Sequence, residues 1–244
     1  LETLQQLANY HRLQLRIPII ALTGSNGKTT TKELINAALQ QHFKTIATIG
    51  NLNNHIGVPL TLLSMNSDTE VGVIEMGANH ATEIALLCSL AKPNVGHITN
   101  FGKAHLEGFG SEQGVIVAKS ELYDYLKANK GLIIMNSDDA KQEKPLGRYS
   151  NTFSFSEYKQ ASINISLLNS QPFLNVSLVD TVIKTHLVGV YNFHNIAAAL
   201  AIGSYFKLTP QQLKSGIEAY VPANNRSQII QQNSNQILLD AYNA

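Results

Sequence analysis

The feature that constrains this chain most is Thr23-Gly24-Ser25-Asn26-Gly27-Lys28-Thr29-Thr30-Thr31, set where a β-rich run at 17–22 gives way to helical spacing at 29–41. Glycines at such a strand-to-helix turn let backbone N–H groups point inward around anionic oxygens. The helix N-terminus adds positive potential, and Lys28 adds a full charge. Thr29 is placed to offer a hydroxyl to Mg²⁺. The general phosphate loop has four residues between its glycines; here there are two, and Leu22 stands where the earlier glycine would be. Three consecutive β-branched threonines weaken a helix start unless their hydroxyls are used. The pattern predicts nucleotide binding by Gly24, Ser25, Asn26, Gly27, Lys28, Thr29 and Thr30.

The surrounding rhythm predicts the fold. Short β-rich runs at 17–22, 44–48, 71–76, 95–99 and 132–135 alternate with helical patterns at 29–41, 81–91 and 112–129. Strands apolar on both faces and separated by helices predict a parallel sheet covered on both sides. Right-handed crossovers then make it doubly wound, with ligands at the carboxyl ends of the strands. Between about 150 and 188 the segments 162–167, 173–179 and 182–187 alternate instead, as antiparallel strands packed on one face do. Helical patterns return at 192–206 and 210–220, and strands follow at 228–232 and 236–240. The predicted class is α/β: a P-loop-type, doubly wound, mainly parallel sheet with helices on both faces, plus a smaller antiparallel sheet. Residues 17–244 are expected to form one nucleotide-binding domain, long enough for a substantial core. Residues 1–16 are expected to be the remnant of a preceding domain or a linker. The start at Leu1 and the stop just after a strand lead us to expect that domains on both sides are missing.

Eighteen basic and seventeen acidic side chains leave a formal charge of +1, so no global field points to nucleic acid or to an anionic membrane. The single cysteine, Cys88, excludes an internal disulfide and a cysteine-rich zinc site, and fits a reducing cytosol. The apolar run at 17–22 is too short to span a bilayer, and nothing resembles a signal peptide. A cytoplasmic monomer without nucleic-acid or membrane partners is expected.

Further candidates lie on the same predicted sheet edge. Glu75 ends a buried parallel strand, where a carboxylate is costly unless it meets a cation or a helix N-terminus. The loop at 99–111 gathers polar residues and glycines around His105, which by itself is equally a solvated loop histidine. Lys119 sits in a helical pattern, and its spacing suggests a solvated or ion-paired lysine. The amide-rich Gly50-Asn51-Leu52-Asn53-Asn54-His55-Ile56-Gly57 could read a peptide or brace its own loop. Asn192 is placed to cap a helix, and His194 and Asn195 could cap or bind. Arg226 could stabilise charge during phosphoryl transfer, and Asp240, at a strand end, could accept ribose hydroxyls.

In this order the motifs resemble the Mur ligase family, whose phosphate loop is the shortened form seen at residues 24–31. The segments 50–63 and 104–111, and the final Asp240-Ala241-Tyr242-Asn243-Ala244, are similar to the member that adds D-alanyl-D-alanine. The resemblance implies an ATP-dependent ligase joining D-alanyl-D-alanine to UDP-N-acetylmuramoyl-tripeptide through an acyl phosphate, in bacterial peptidoglycan precursor synthesis. It implies ATP held by Lys28 and the loop amides, and magnesium on Thr29 and Glu75. A second magnesium would sit at His105 and at Lys119, the latter carbamoylated by CO₂. Asn195 would lie near the adenine, Arg226 near the γ-phosphate and Asp240 near the ribose. The catalytic set would be Lys28, Lys119, His105 and Arg226. Two departures stand out: Ala198 where the family often has a second asparagine, and Asn224-Asn225-Arg226 in place of Pro-Gly-Arg. The alternatives are another Mur-type or folylpolyglutamate-type ligase, or a P-loop binding module without ligase chemistry. Alone, the piece is expected to complete no reaction.

Overall fold

The computed structural model describes residues 1–102, 106–223 and 226–240. In chain order its elements are α1 (Glu2–Gln14), β1 (Ile19–Thr23), α2 (Lys28–Leu39), β2 (Thr45–Ala47), α3 (Gly57–Ser64), β3 (Val71–Glu75), α4 (Glu83–Ala91), β4 (Val95–Ile98), α5 (Leu106–Phe109), α6 (Glu112–Ala128) and β5 (Leu132–Asn136). There follow α7 (Glu143–Leu146), β6 (Thr152–Ser156), β7 (Ile163–Asn169), β8 (Asn175–Leu178), β9 (Thr181–Lys184), α8 (Asn192–Tyr205), α9 (Pro210–Ala219), β10 (Gln228–Gln232) and β11 (Asn235–Leu239).

β1 shows why the inner strands carry no polar alternation. Successive side chains of a strand point to opposite faces. Ile20 and Leu22 enter one core with α2, α8 and α9, while Ile19 and Ala21 enter the other with α3, α4 and α6. All five residues of β1 are buried, as are those of β3 and β5. One sheet therefore needs two apolar faces, and helices cover both.

The main sheet runs β2-β3-β1-β4-β5-β6-β7-β8-β9 and is parallel from β2 to β7. β1 lies between β3 and β4, so the crossover through α4 passes over β1 and the winding reverses there. The carboxyl ends of β1, β3 and β4 consequently open together on one edge, where such sheets take their ligands.

Strands β7, β8 and β9 pair antiparallel, as expected for this stretch. They continue the main sheet, and the free-standing antiparallel pair is β10–β11. β7 pairs parallel with β6 on its other side. Alternation reports that one face is buried; it is silent about the direction of a neighbour.

Two helices start where a side chain satisfies open amides. Thr209 and Gln212 form a capping box on α9, with Pro210 in its first turn, and Ser111 accepts the Gly114 N–H at the start of α6. Residues 2–14, expected as a remnant or linker, form α1, which packs on α3 and α4. Its buried Arg12 donates to the carbonyls of Ala91 (2.7 Å) and Lys92 (3.1 Å) and to Oδ1 of Asn94 (3.2 Å). Among the described residues, no helix is long and apolar enough to cross a membrane.

Candidate active site

β1 delivers the chain to the loop at Gly24, and α2 begins at Lys28 without a side-chain cap, Gly27 taking the cap position at φ 79°. Two glycines are required here for different reasons. Gly24 adopts φ 148°, and a Cβ on it would overlap Oγ1 of Thr99. A Cβ on Gly27 would overlap Oδ1 of Asn195. The shortened loop is braced by the turn after β4. Thr99 Oγ1 (2.6 Å) and Asn100 Nδ2 (3.0 Å) donate to the Asn26 carbonyl, and Ser25 Oγ donates to the Gly102 carbonyl (2.8 Å). Lys28 folds back, its Nζ donating to the carbonyls of Gly24 (2.8 Å) and Ser25 (3.2 Å). Burial lowers the pKa of this ammonium, opposed by the charge of Glu75 and reinforced by Arg226.

Opposite the loop stands Glu75, almost wholly buried at the end of β3. Its Oε1 accepts from Thr29 Oγ1 (3.2 Å) and Asn53 Nδ2 (2.7 Å), while its N–H donates to Thr48 Oγ1 (3.0 Å). Its Oε2 is buried without a hydrogen-bond partner among the described residues. A bare carboxylate oxygen is costly in a protein interior. Here it sits beside a threonine hydroxyl at a phosphate loop. That donor set suits Mg²⁺, which takes one or two protein oxygens and completes its octahedron with phosphate and water. Among the described residues no three histidine, cysteine, aspartate or glutamate side chains converge on one point.

Two of the three threonine hydroxyls, those of Thr29 and Thr31, are engaged by side chains. Thr31 Oγ1 donates to Asn195 Oδ1 (3.0 Å), and Asn195 Nδ2 donates to Asn192 Oδ1 (2.8 Å). Asn192 Nδ2 continues to the Val188 carbonyl (2.8 Å) and Ser227 Oγ (3.0 Å). Asn192 is thus not the helix cap; Tyr191 holds that position with no side-chain cap bond. The asparagine pair beside the loop is Asn192 and Asn195. Ala198 faces the hydrophobic core, so it marks no missing contact at the cleft.

A cleft of about 730 Å³ opens on this edge. It brings together Ser25, Asn26, Gly27, Lys28, Thr29, Thr30, Glu75, Asn195, Arg226 and Asp240, all of which the sequence singled out. Asp240 is already engaged: Oδ1 accepts from the Ser227 N–H (2.8 Å), and Oδ2 accepts from the Tyr191 hydroxyl. Tyr191, Ser227, Thr48 and Asn53 are site residues the sequence reading passed over or left general. Asn53 alone carried a signal, lying in the amide-rich run. Asn54 of that run braces its loop, its Oδ1 accepting from Ile56 and Gly57.

Lys119 does not line the cleft, and it is neither solvated nor on the surface: only 1% of it is exposed. Its Nζ lies 5.3 Å from the centroid of the Phe109 ring. Burial first, and then the charge of Lys28, lower its pKa to about 8, against the pull of Glu121 and Glu83. The signal was in the helical period, since Val115, Ala118, Leu122 and Leu126 make the buried stripe of α6 on which residue 119 falls. His105 lies outside the described residues, as do Asn224, Asn225 and residues 241–244.

Residues 22–203 match the family model for the Mur ligase middle domain. The chain is 35% identical over its whole length to the UDP-N-acetylmuramoyl-tripeptide–D-alanyl-D-alanine ligase of Bacillus subtilis, of which it covers 54%. A crystal structure of MurF from Acinetobacter baumannii superposes on 99% of the chain with a TM-score of 0.88 at 33% identity, and the match covers 54% of that protein. MurF ligase from Thermotoga maritima, solved in complex with ADP, superposes on the whole chain with a TM-score of 0.86 at 28% identity, over 57% of its own length. The chain spans about half the length of the curated relatives it matches.

Proposed function

The chain belongs to the Mur ligase family through its middle domain, and from that premise we propose that it is the ATP-binding centre of a bacterial, cytoplasmic ligase that joins D-alanyl-D-alanine to UDP-N-acetylmuramoyl-tripeptide. The observation that carries this reading is the Glu75 carboxylate at the phosphate loop, its Oε1 held by the Thr29 hydroxyl and its Oε2 buried without a partner among the described residues. The relatives named above support the choice of substrates.

In this reading the uncapped amides at the start of α2 cradle the ATP phosphates. Lys28 exchanges its two backbone carbonyls for phosphate oxygens, which are stronger acceptors. Glu75 and Thr29 hold magnesium, which when bound neutralises charge on the transferring phosphoryl group. Arg226, across the cleft, adds a second cation to the developing charge. Asn195 lies beside the loop to meet the base, and Asp240 meets the ribose by releasing the Tyr191 hydroxyl. The substrate carboxylate takes the γ-phosphoryl group from ATP with release of ADP, and the incoming amine displaces phosphate from the acyl phosphate and loses a proton to make the amide. Lys119, kept from full protonation by burial, adds CO₂ and becomes a carbamate, which with His105 would serve a second magnesium. The protein acts as a monomer, and this piece completes no turnover without the remaining length seen in its relatives.

The test is ATP-dependent phosphate release by the full-length polypeptide given UDP-N-acetylmuramoyl-tripeptide, with and without D-alanyl-D-alanine. Release is expected to need both substrates. Release indifferent to both would overturn the ligase reading.

A further inference from the structure

Lys32 is a buried cation that nothing in the proposed chemistry uses. It lies one turn after Lys28 and Thr29 on α2 and has no exposed surface. Its Nζ donates to the Thr48 carbonyl at 2.5 Å and pairs with Oε1 of Glu33 at 2.8 Å. Glu33 is its sequence neighbour and is 36% exposed, so that ion pair could form equally well with the ammonium in water. The contact that requires burial is the one to Thr48, which lies just past the end of β2.

Thr48 is itself buried and serves both of its neighbours. Its N–H donates to the Val73 carbonyl at 3.0 Å, and its Oγ1 accepts the Glu75 N–H at 3.0 Å. The side chain thus continues the β2–β3 ladder past its last backbone pair and fixes the main chain of Glu75. One continuous path runs from Lys32 to the Thr48 carbonyl, through the Thr48 hydroxyl, to the backbone that aims the Glu75 carboxylate at Thr29. Both ends of the path rest on the first turns of α2, so it closes a ring: Thr29 touches Oε1 of Glu75, and Lys32 holds the Thr48 carbonyl just past β2. A Leu or Met at position 32 would fill the same apolar space on α2 but would leave the Thr48 carbonyl without its donor.

The geometry points to Lys32 as a positioning residue that sets the carboxylate of Glu75 through Thr48, an inference resting on the reading of Glu75 as a magnesium ligand. It does not line the cleft. Its effect should appear only in metal-dependent binding, because the loop amides and Lys28 meet the phosphates without it.

The test is ADP affinity by calorimetry on the full-length protein, in excess Mg²⁺ and in EDTA, for the parent and for Lys32→Met. The variant is expected to lose about tenfold of the gain that Mg²⁺ gives to ADP binding, the scale on which outer-sphere partners act. Its affinity in EDTA is expected to stay within about twofold of the parent. A folded Lys32→Met that keeps the full Mg²⁺ gain, or that loses affinity equally in both buffers, would overturn the inference. If circular dichroism shows Lys32→Met unfolded, Thr48→Val and Thr48→Ser decide the question. The valine should lose the Mg²⁺ gain and the serine keep it; equal behaviour of the two overturns the path. A parent that gains nothing from Mg²⁺ overturns the reading of Glu75 and this inference with it, whereas a parent gain left intact in the variants overturns the inference alone.

Discussion

Thr29 donates its hydroxyl to Oε1 of Glu75 across 3.2 Å, tying the first turn of α2 to the last residue of β3. The other carboxylate oxygen is buried and bare. Glu75→Gln preserves the shape and an acceptor for Thr29 while removing the charge that a divalent cation needs. We expect the substituted protein to fold and to lose at least about tenfold in Mg²⁺-dependent ADP affinity, measured by calorimetry. Undiminished Mg²⁺-dependent binding would remove Glu75 from the cation site.

Gly27 is held at φ 79° with Asn195 where its Cβ would be. Gly27→Ala therefore meets two costs, a left-handed backbone and a displaced amide that also holds Thr31. Together these should destabilise the fold by about 1–3 kcal/mol in urea unfolding. Combining it with Asn195→Ala removes the clash but not the backbone cost. The double variant should then be more stable than the sum of the two singles. Strict additivity would show that the overlap with Asn195 does not matter.

The parts of this fold that were legible in sequence are those fixed by local pattern. β1, β3 and β5 are buried on both faces, so each is a solid apolar run whatever its partner. The loop at Gly24 was legible because strand, glycines, lysine and helix are contiguous. β6, with the alternating sequence Thr-Phe-Ser-Phe-Ser, was not recognised as a strand of the parallel sheet. Its direction is set by its neighbours β5 and β7, which alternation does not encode.

The same division runs through the site. Glu75 announced itself by ending a buried strand. Tyr191, whose hydroxyl reaches Asp240 49 positions away, had no local signature. Lys119 had one, on the buried stripe of α6, but a lysine there is ordinarily read as charge at the edge of a helix face. Asn192 does not cap its helix, because its side chain is taken by Val188, Ser227 and Asn195.

His97 is fully buried in β4, its Nδ1 3.0 Å from the Ile134 carbonyl, and burial lowers its pKa from 6.5 to about 4. The imidazole is thus neutral in the folded protein, with Nδ1–H donating to that carbonyl. Between pH 6.5 and 4 the unfolded chain binds the proton and the folded chain does not. Stability is therefore complete above pH 6.5, falls as pH falls through this window, and levels off below about 4. The total is on the order of 3 kcal/mol. His97→Gln should flatten that part of a urea-unfolding pH profile while leaving the carboxylate contribution below it. An unchanged slope would assign the acid sensitivity elsewhere.

Lys119 gives a pH signature of the opposite range. Its folded pKa of about 8 lies below the ordinary lysine value of 10.5, so between those limits the unfolded chain holds more protons than the folded one. The penalty for burying the ammonium is full below about pH 8 and is relieved as pH rises towards 10.5, so stability increases with pH through this window. In CO₂-free buffer Lys119→Met should abolish that increase and be more stable than the parent at neutral pH, since an apolar chain suits the stripe of Ala118 and Leu122. The same relief leaves a fraction of neutral amine near neutrality, which on the proposed reading would add CO₂ with loss of a proton to give a carbamate. ¹³C-labelled CO₂ should therefore produce a carbamate resonance in the parent that strengthens as pH rises from about 7 to 9 at fixed dissolved CO₂. It should be missing from Lys119→Met. A resonance that survives in Lys119→Met belongs to another amine. A parent with the stability slope but no resonance would retain the buried neutral lysine and lose the carbamate.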